Sequence, residues 1–163
     1  MNFIGGQRVV KKLKKETATQ DAVATFLLLR DEGNDLLEAG DLQAAVKKYT
    51  EALSASQGID NYKESCKAAA IALASRSLAH LRLGNAARAL ADGQACKARD
   101  RTNEDAQSRI DQAAQQMAAQ DYQDRITAEI MELHDQGYSK EQLKEWCERQ
   151  GEAVLDTLLK LIE

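Results

Sequence analysis

The chain has 163 residues, enough for one ordinary domain with a hydrophobic core, so no disulfide or metal is needed to hold it together. The formal net charge is −4, with 22 basic and 26 acidic side chains intermixed, which excludes a protein-wide basic surface for nucleic acid. Aromatic residues make up 4% of the chain, proline is absent and good helix formers dominate, so we predict an all-α fold.

The cysteines and the length of the apolar runs indicate the cellular compartment. Cys66, Cys96 and Cys147 are odd in number and share no metal-binding spacing, which predicts buried thiols in a reducing compartment. The longest apolar run is far shorter than the ~20 residues of a membrane helix, and the first residues are not followed by the apolar core of a secretory signal. The sequence therefore predicts a cytoplasmic protein without a transmembrane segment.

Residues 1–20 are predicted to form a basic N-terminal tail. Lys11, Lys12, Lys14 and Lys15 cluster behind a pair of glycines. The first interpretation is a flexible tail. The second is an arm that docks on an acidic surface such as a membrane face, RNA or a partner protein. Nucleic acid is expected as a partner only through this segment.

Helical spacing predicts the first helix–turn–helix unit from Asp21 onward. Its first helix covers residues 21–39, and the candidate core positions at helical spacing are Ala24, Leu27, Leu28, Asn34 and Leu37. Gly40-Asp41 then supplies a stop and a new N-cap. The second helix carries its apolar face on Leu42, Ala45, Val46, Tyr49 and Leu53.

A second unit repeats the first at an offset of 44 residues. Its helices are predicted at residues 62–83 and 86–98, after a break at residues 58–61. When Gly40 is placed over Gly84, three further pairs align, namely Leu29 with Leu73, Ala45 with Ala89, and Ala52 with Cys96. The offset equals a 34-residue repeat with a ten-residue insertion, which predicts a helical repeat array.

Residues 27–53 (LLLRDEGNDLLEAGDLQAAVKKYTEAL) and 72–100 (ALASRSLAHLRLGNAARALADGQACKARD) resemble consecutive tetratricopeptide repeats (TPR) of chaperone-binding cofactors. The family's signature positions are occupied by Gly33, Gly40, Ala45, Tyr49 and Ala52, and then by Leu73, Gly84, Ala89 and Asp100. Ser77, His80 and Gly93 depart from the second repeat's usual small, aromatic and large residues. The resemblance implies paired helices in which small residues allow close approach and a large one fills the gap.

In cochaperone members of this family, a two-carboxylate clamp holds the C-terminal EEVD tail of large chaperones. By resemblance, the clamp's first pair falls on Arg30 and Asn34, and its next asparagine on Ser75. The third-repeat lysine and arginine fall near Gln107 and Asp111, and a shift of one residue would offer Arg109 instead. The concave face expected to bind a peptide comprises Arg30, Asn34, Leu37, Ser75, Leu78 and Arg82.

Residues 103–135 are expected to cap the array as a degenerate third repeat that continues as one long helix. Thr102 or Asn103 is the predicted N-cap, and the predicted apolar stripe consists of Ile110, Ala113, Ala114 and Met117. The predicted TPR module with its capping helix therefore covers residues 21–125.

Residues 126–163 form a separate predicted unit of three short helices. Gly137-Tyr138 separates the first two, Ser139 begins a capping box with Gln142, and Gly151 separates the last two. The pattern resembles a ubiquitin-associated (UBA) domain, in which a Met-Gly-Phe/Tyr loop and the third helix bind ubiquitin. Gln136 stands in place of the methionine, so packing against the repeat module or a partner is preferred to ubiquitin binding. Trp146 is the expected core anchor.

No catalytic pattern is present in the sequence. It lacks GxSxG, a phosphate-binding glycine loop and HExxH, and His80 and His134 fall on separate predicted helices. We therefore expect no enzyme activity, cofactor or metal. The predicted function is a protein-binding adaptor of the cochaperone type, and the alternative is a constitutive subunit of a larger protein or ribonucleoprotein assembly.

Overall fold

The computed structural model describes the backbone of residues 3–162 and the side chains of residues 11–161. The described residues form seven α-helices and no strand, which confirms the all-α class. The helices are α1 (Phe3–Glu38), α2 (Leu42–Ser56), α3 (Tyr62–Arg82), α4 (Ala86–Arg99), α5 (Glu104–Asp135), α6 (Lys140–Gln150) and α7 (Glu152–Ile162). The chain divides into two compact units, and the boundary between them follows Ala114, within α5. None of the helices in the described part is long and apolar enough to cross a bilayer.

Helix α1 begins at Phe3, so the predicted start at Asp21 is wrong. Residues 3–20 continue the helix where a flexible tail was expected, while Met1 and Asn2 lie outside the described residues. The reason is local, because the residues after Gly6 are mostly good helix formers and no proline or glycine interrupts them before Asp21.

The core face of α1 also differs from the predicted one. Phe26 is buried and packs in a cluster with Ala52, Ile59, Ala68 and Ala72 from the following segments. The predicted core positions Leu27 and Leu28 are 40% and 60% exposed, and Ala24 is exposed. Leucines lie on several sides of α1, so the sequence pattern did not determine which side is buried. Packing against α2 and α3 buries the side that carries Phe26.

Helices α1 and α2 approach closely at Gly33. A Cβ on Gly33 would lie 2.6 Å from Cε1 and 2.8 Å from Cδ1 of Tyr49, whose side chain is fully buried. Only a residue without a side chain fits at this point of the helix pair. The tyrosine ring occupies the space that glycine leaves.

The second unit reverses the sizes at the equivalent positions. Ser77 stands where the first unit has Gly33, and its hydroxyl donates to the Ala89 carbonyl oxygen at 2.8 Å. Gly93 stands where the first unit has Tyr49. A Cβ on Gly93 would lie 3.0 Å from Cγ1 of Ile110, so the first turns of α5 fill the space that a large α4 residue would occupy.

An ion pair at equivalent positions links the helices of each unit, with its charges reversed. In the first unit, Lys48 Nζ lies 2.7 Å from Glu32 Oε2. In the second, the Arg76 guanidinium donates to both carboxylate oxygens of Asp92, at 2.8 Å and 2.7 Å. Arg76 also donates to the Thr50 hydroxyl of α2 at 3.0 Å, so its side chain joins α2, α3 and α4.

Both units turn at a glycine in the left-handed region, Gly40 with φ 83° and Gly84 with φ 75°. The residue after each glycine donates its N–H to a carbonyl five residues earlier, Leu36 in one unit and His80 in the other. This pattern satisfies carbonyl groups at the helix end and requires a conformation that glycine adopts without strain. The two turns predicted from the sequence are confirmed.

The second compact unit contains the later part of α5 with α6 and α7. Its core consists of Ile130, Leu143, Cys147, Val154 and Leu158, with the half-buried Trp146 packed against it. The Ser139 side chain accepts the Gln142 N–H at 3.3 Å, and the Gln142 side chain accepts the Ser139 N–H at 2.9 Å. The predicted capping box is therefore confirmed.

The buried His80 predicts a pH dependence of stability. Its side chain is 6% exposed and Nδ1 is buried without a hydrogen-bond partner among the described residues. Burial lowers the pKa of His80 below its usual 6.5 and outweighs the nearby Asp92 carboxylate, which raises it. The unfolded chain therefore binds a proton that the folded chain resists, and the free energy of unfolding falls as the pH drops below 6.5.

The measurement is urea unfolding at a series of pH values between 7 and 5. The expected contribution of His80 is a loss of at most about 1.4 kcal/mol per pH unit, which levels off below its folded-state pKa. His80→Phe should flatten this slope, whereas His134→Gln, at an exposed position, should leave it unchanged. An equal slope in wild type and His80→Phe would rule out His80 as its source.

Candidate functional site

A groove of about 250 Å³ lies between α1, α3 and the beginning of α5 in the first compact unit. We name it the α1–α3–α5 groove. It is lined by Asn34, Leu37, Ile71, Ala74, Ser75, Leu78, Asn103, Asp105 and Arg109. Four of the residues predicted to bind a peptide, Asn34, Leu37, Ser75 and Leu78, therefore line the same groove.

Helical spacing explains why these side chains meet. Asn34 and Leu37 lie about one turn apart on α1 and therefore share a side of that helix. Ile71, Ser75 and Leu78 follow one another at the same spacing along α3. Leu37 and Ala74 are buried and form an apolar floor. The polar side chains of Asn34, Ser75 and Arg109 are half-buried around it.

Tyr49 holds the Asn34 side chain in place. The buried Tyr49 hydroxyl donates to Asn34 Oδ1 at 2.9 Å, so the amide N–H groups of Asn34 are the donors it can offer to a ligand. Burial raises the pKa of Tyr49, and the neighbouring Arg82 and Ser75 oppose that shift. The hydroxyl thus stays protonated at neutral pH and keeps donating to Asn34.

Arg30 and Arg82, also predicted to bind a peptide, do not line the groove. The Arg30 guanidinium is paired with the next residue, with Nε and Nη2 lying 2.9 Å and 2.7 Å from Asp31 Oδ1. Arg82 donates from Nη1 to the Leu37 carbonyl oxygen at 3.2 Å, near the end of α1. Nearby acceptors therefore engage both cations, and their expected role in peptide binding stays a prediction.

Arg109, and not Gln107 or Asp111, supplies the cation of the groove. Gln107 accepts from Lys97 and donates to Asp111 Oδ1 at 2.8 Å on the exposed side of α5. Arg109 Nε is buried and has no hydrogen-bond partner among the described residues. Arg109 is the residue that the shifted alignment offered, and it lies on the side of α5 that faces the groove.

Five groove residues were not among the predicted site residues: Ile71, Ala74, Asn103, Asp105 and Arg109. The sequence carried a signal for two of them. Ile71 lies one helical turn before Ser75, and Asn103 is a capping residue at the start of a predicted helix. Asn103 Oδ1 accepts the Ala106 N–H at 3.2 Å and so begins α5 beside the groove.

The groove offers donors from an amide, a hydroxyl and a guanidinium around an apolar floor, with Asp105 as its one carboxylate. Such a set suits the carbonyl and carboxylate groups of a peptide together with one or two apolar side chains. Among the described residues, no three His, Cys, Asp or Glu side chains cluster in a way that could hold a metal ion.

Comparison with known proteins adds no relative. The chain matches no protein-family model, no curated protein and no solved structure. The geometry of the groove is thus the basis for the function proposed below.

The second compact unit has a groove of its own, of about 360 Å³. It is lined by Ile130, Met131, His134, Asp135, Lys140, Leu143, Leu158 and Leu161. Tyr138, in the loop between α5 and α6, is 45% exposed. Gln136 donates to Glu132 Oε1 at 3.3 Å, so its side chain is held against the end of α5.

Proposed function

We propose that the chain is a non-enzymatic adaptor that binds the peptide or tail of a partner protein in the α1–α3–α5 groove. The observation that carries this proposal is the meeting of Asn34, Ser75 and Arg109 around an apolar floor in one groove. The donors of all three side chains suit an acidic or C-terminal peptide, because ionised acceptors form the stronger hydrogen bonds.

We further propose that the first compact unit is a TPR module of the cochaperone type. The close packing of Gly33 against Tyr49 supports this, since a small and a large residue meet where the family's signature positions fall. The equivalent turns at Gly40 and Gly84 support a repeated helical pair. The early part of α5 covers α4 at Gly93, as a capping helix would.

Arg109 has the main electrostatic role in the proposed complex. Its guanidinium takes the place of the clamp's third-repeat cations, whose positions fall near Gln107 and Asp111, and the Asn34 amide provides a second donor across the groove. A terminal carboxylate between these groups accepts hydrogen bonds from the guanidinium and from the amide. Asp105, in the first turn of α5, repels carboxylates on its side of the groove, so the terminal carboxylate is expected to lie toward Arg109 and Asn34.

The test is a fluorescence-anisotropy titration with an EEVD-ended peptide. Arg109→Glu is expected to weaken binding at least roughly tenfold, because it removes a charged donor and adds a repelling carboxylate. Asn34→Asp should also weaken binding, since it keeps an acceptor for Tyr49 and removes the amide donor. Arg125→Glu makes the same charge change at an exposed position of the second compact unit and should leave the affinity unchanged.

The same peptide with an amidated C-terminus shows whether the terminal carboxylate is recognised. Two results together support the proposed complex. Amidation lowers the affinity, and Arg109→Glu lowers it while Arg125→Glu does not. Equal affinities for wild type and Arg109→Glu would refute the role of the groove.

The alternative function is a constitutive subunit of a protein or ribonucleoprotein assembly, with the groove permanently occupied. Two large side chains on the first compact unit favour this alternative, because Leu28 and Tyr62 are 60% and 83% exposed. A monodisperse monomer that binds the peptide supports the adaptor. Aggregation of the isolated chain without peptide binding supports the subunit.

For the second compact unit, we propose a packing role in preference to ubiquitin binding. Gln136 lies in the loop where the UBA family has a methionine, and its polar side chain is bonded to Glu132. The loop therefore contains Tyr138, but it lacks the flexible apolar methionine that the UBA family has at the position of Gln136.

A further inference from the structure

The first part of α1 projects beyond the helices that cover the rest of it. Gly58, just after α2, lies opposite Ala22, since a Cβ on Gly58 would be 3.0 Å from the Ala22 Cβ. No described residue before Ala22 belongs to a hydrophobic cluster. Residues 11–21 are exposed except for the half-buried Thr19. This segment is therefore a single helix with little of the chain packed against it.

The projecting helix is basic, whereas the rest of the chain is acidic. Residues 1–21 contain five basic and two acidic residues, and residues 22–163 contain 17 basic and 24 acidic residues. A rise of about 1.5 Å per residue places Lys11, Lys12 and Lys14 about 12–16 Å beyond Ala22. That distance exceeds the Debye length of about 8 Å at physiological salt, so the charges of α1 after Ala22 are largely screened from these lysines. Two carboxylates lie closer, Glu16 at 3.9 Å from Lys12 and Asp60 at 3.4 Å from Lys15, and the four lysines leave the segment with a net positive charge.

An exposed apolar stripe runs along the same helix. Leu13, Leu27 and Leu28 are 56%, 40% and 60% exposed, and Ala24 between them is exposed. Helical spacing places Lys12 and Lys14 about 100° to either side of Leu13. Lys15 lies farther round and pairs with Asp60 at 3.4 Å, which anchors the helix to the loop before α3. Lysines thus flank the Leu13 end of a leucine stripe that stays largely open to solvent in the described chain.

We propose that this basic helix docks on an anionic lipid bilayer, with the leucine stripe in the interface and Lys11, Lys12 and Lys14 against the headgroups. Anionic lipids attract the lysines, and long lysine stems reach the headgroups while the leucines enter the apolar boundary. RNA offers phosphates but no apolar layer for the stripe. A helical protein partner requires regularly spaced large residues, whereas Thr17, Gln20 and Ala24 separate the leucines of this stripe.

The test is co-sedimentation of the full chain with vesicles of phosphatidylcholine, alone or mixed with phosphatidylserine. Wild type is expected to bind only the mixed vesicles and to dissociate at high salt. Reversing Lys11, Lys12 and Lys14 to glutamate is expected to weaken binding at least roughly 100-fold, because each lysine near an anionic surface contributes several-fold. Leu13→Gln is expected to weaken it roughly tenfold through the lost apolar contact.

The matched control reverses Lys63, Lys144 and Lys160, which are also exposed, and makes the same change in net charge. It should bind as wild type does, and circular dichroism checks that all variants stay helical. No binding by wild type, equal binding by the Lys11/Lys12/Lys14 variant, or an equal loss in the control overturns the proposal. Wild-type affinity in Leu13→Gln overturns it as well, as does binding to single-stranded RNA without binding to the mixed vesicles.

Discussion

Replacing Arg76 by methionine is expected to lower the free energy of unfolding by about 2–3 kcal/mol. The Arg76–Asp92 pair is largely sheltered, with side chains 20% and 11% exposed, and the guanidinium contacts both carboxylate oxygens. The hydrogen bond to Asp92 raises the pKa of Arg76, outweighing the cost of its burial. Methionine fills much of the space but leaves the Asp92 carboxylate buried without its cation, and the Thr50 hydroxyl without a donor.

Urea unfolding of three variants separates this explanation from simple loss of packing. Lys48→Met breaks the equivalent pair of the first unit, whose side chains are 33% and 41% exposed, and should have a far smaller effect. The double variant Arg76→Met/Asp92→Leu should recover most of the stability lost in Arg76→Met, since no charge is left buried. Similar losses in Arg76→Met and the double variant would show that the uncompensated charge is not the cause.

Replacing Gly33 by alanine is the second substitution with a large expected effect, a loss of about 2 kcal/mol. Alanine favours a helix by about 1 kcal/mol over glycine, so a loss of stability would mean that the steric conflict outweighs this gain. The conflict is with the Tyr49 ring, which lies 2.6–3.1 Å from the position of the new Cβ and is fully buried. The displaced ring would also weaken the hydrogen bond from Tyr49 to Asn34 and hence peptide binding.

Gly93→Ala is the matched comparison for Gly33→Ala. The nearest atom to its new Cβ is a side-chain carbon of Ile110 at 3.0 Å, and this half-buried side chain has more freedom to move than a buried ring. We expect the stability of Gly93→Ala to lie within about 1 kcal/mol of wild type, because the helix gain offsets the strain. Thermal unfolding of both variants checks the difference, and a larger loss at Gly93 would contradict the interpretation of the two helix contacts.

Several helix boundaries could be predicted from local chemistry. The predicted helices at residues 62–83 and 86–98 are observed at Tyr62–Arg82 and Ala86–Arg99. Asn61 accepts the N–H groups of Lys63 and Glu64 at the start of α3, and Gly84 in the left-handed region ends it. Such signals act within a few residues, so they appear in the sequence without knowledge of what the helix packs against.

The groove could be predicted in part. Asn34, Leu37, Ser75 and Leu78 were expected together because the resemblance to tetratricopeptide repeats implies that they share the concave face, and all four line the groove. Arg109 was left as an alternative to Gln107, because the rotation of α5 depends on contacts distant in the sequence. Ala106 and Ala113 are buried and Ile110 packs at Gly93, which directs Gln107 outward toward Lys97 and leaves Arg109 at the groove.

The sequence by itself determined the helical class, the turns at Gly40, Gly84 and Gly137, and the repeat that aligns Ala45 with Ala89. These features depend on backbone conformation and on the period of apolar residues, which are local properties. The tertiary structure decided which side of α1 is buried, the pairing of Arg30 with Asp31, and the place of Arg109. Those outcomes depend on how helices rotate when their side chains interlock, and close packing selects one rotation from several that the sequence pattern allows.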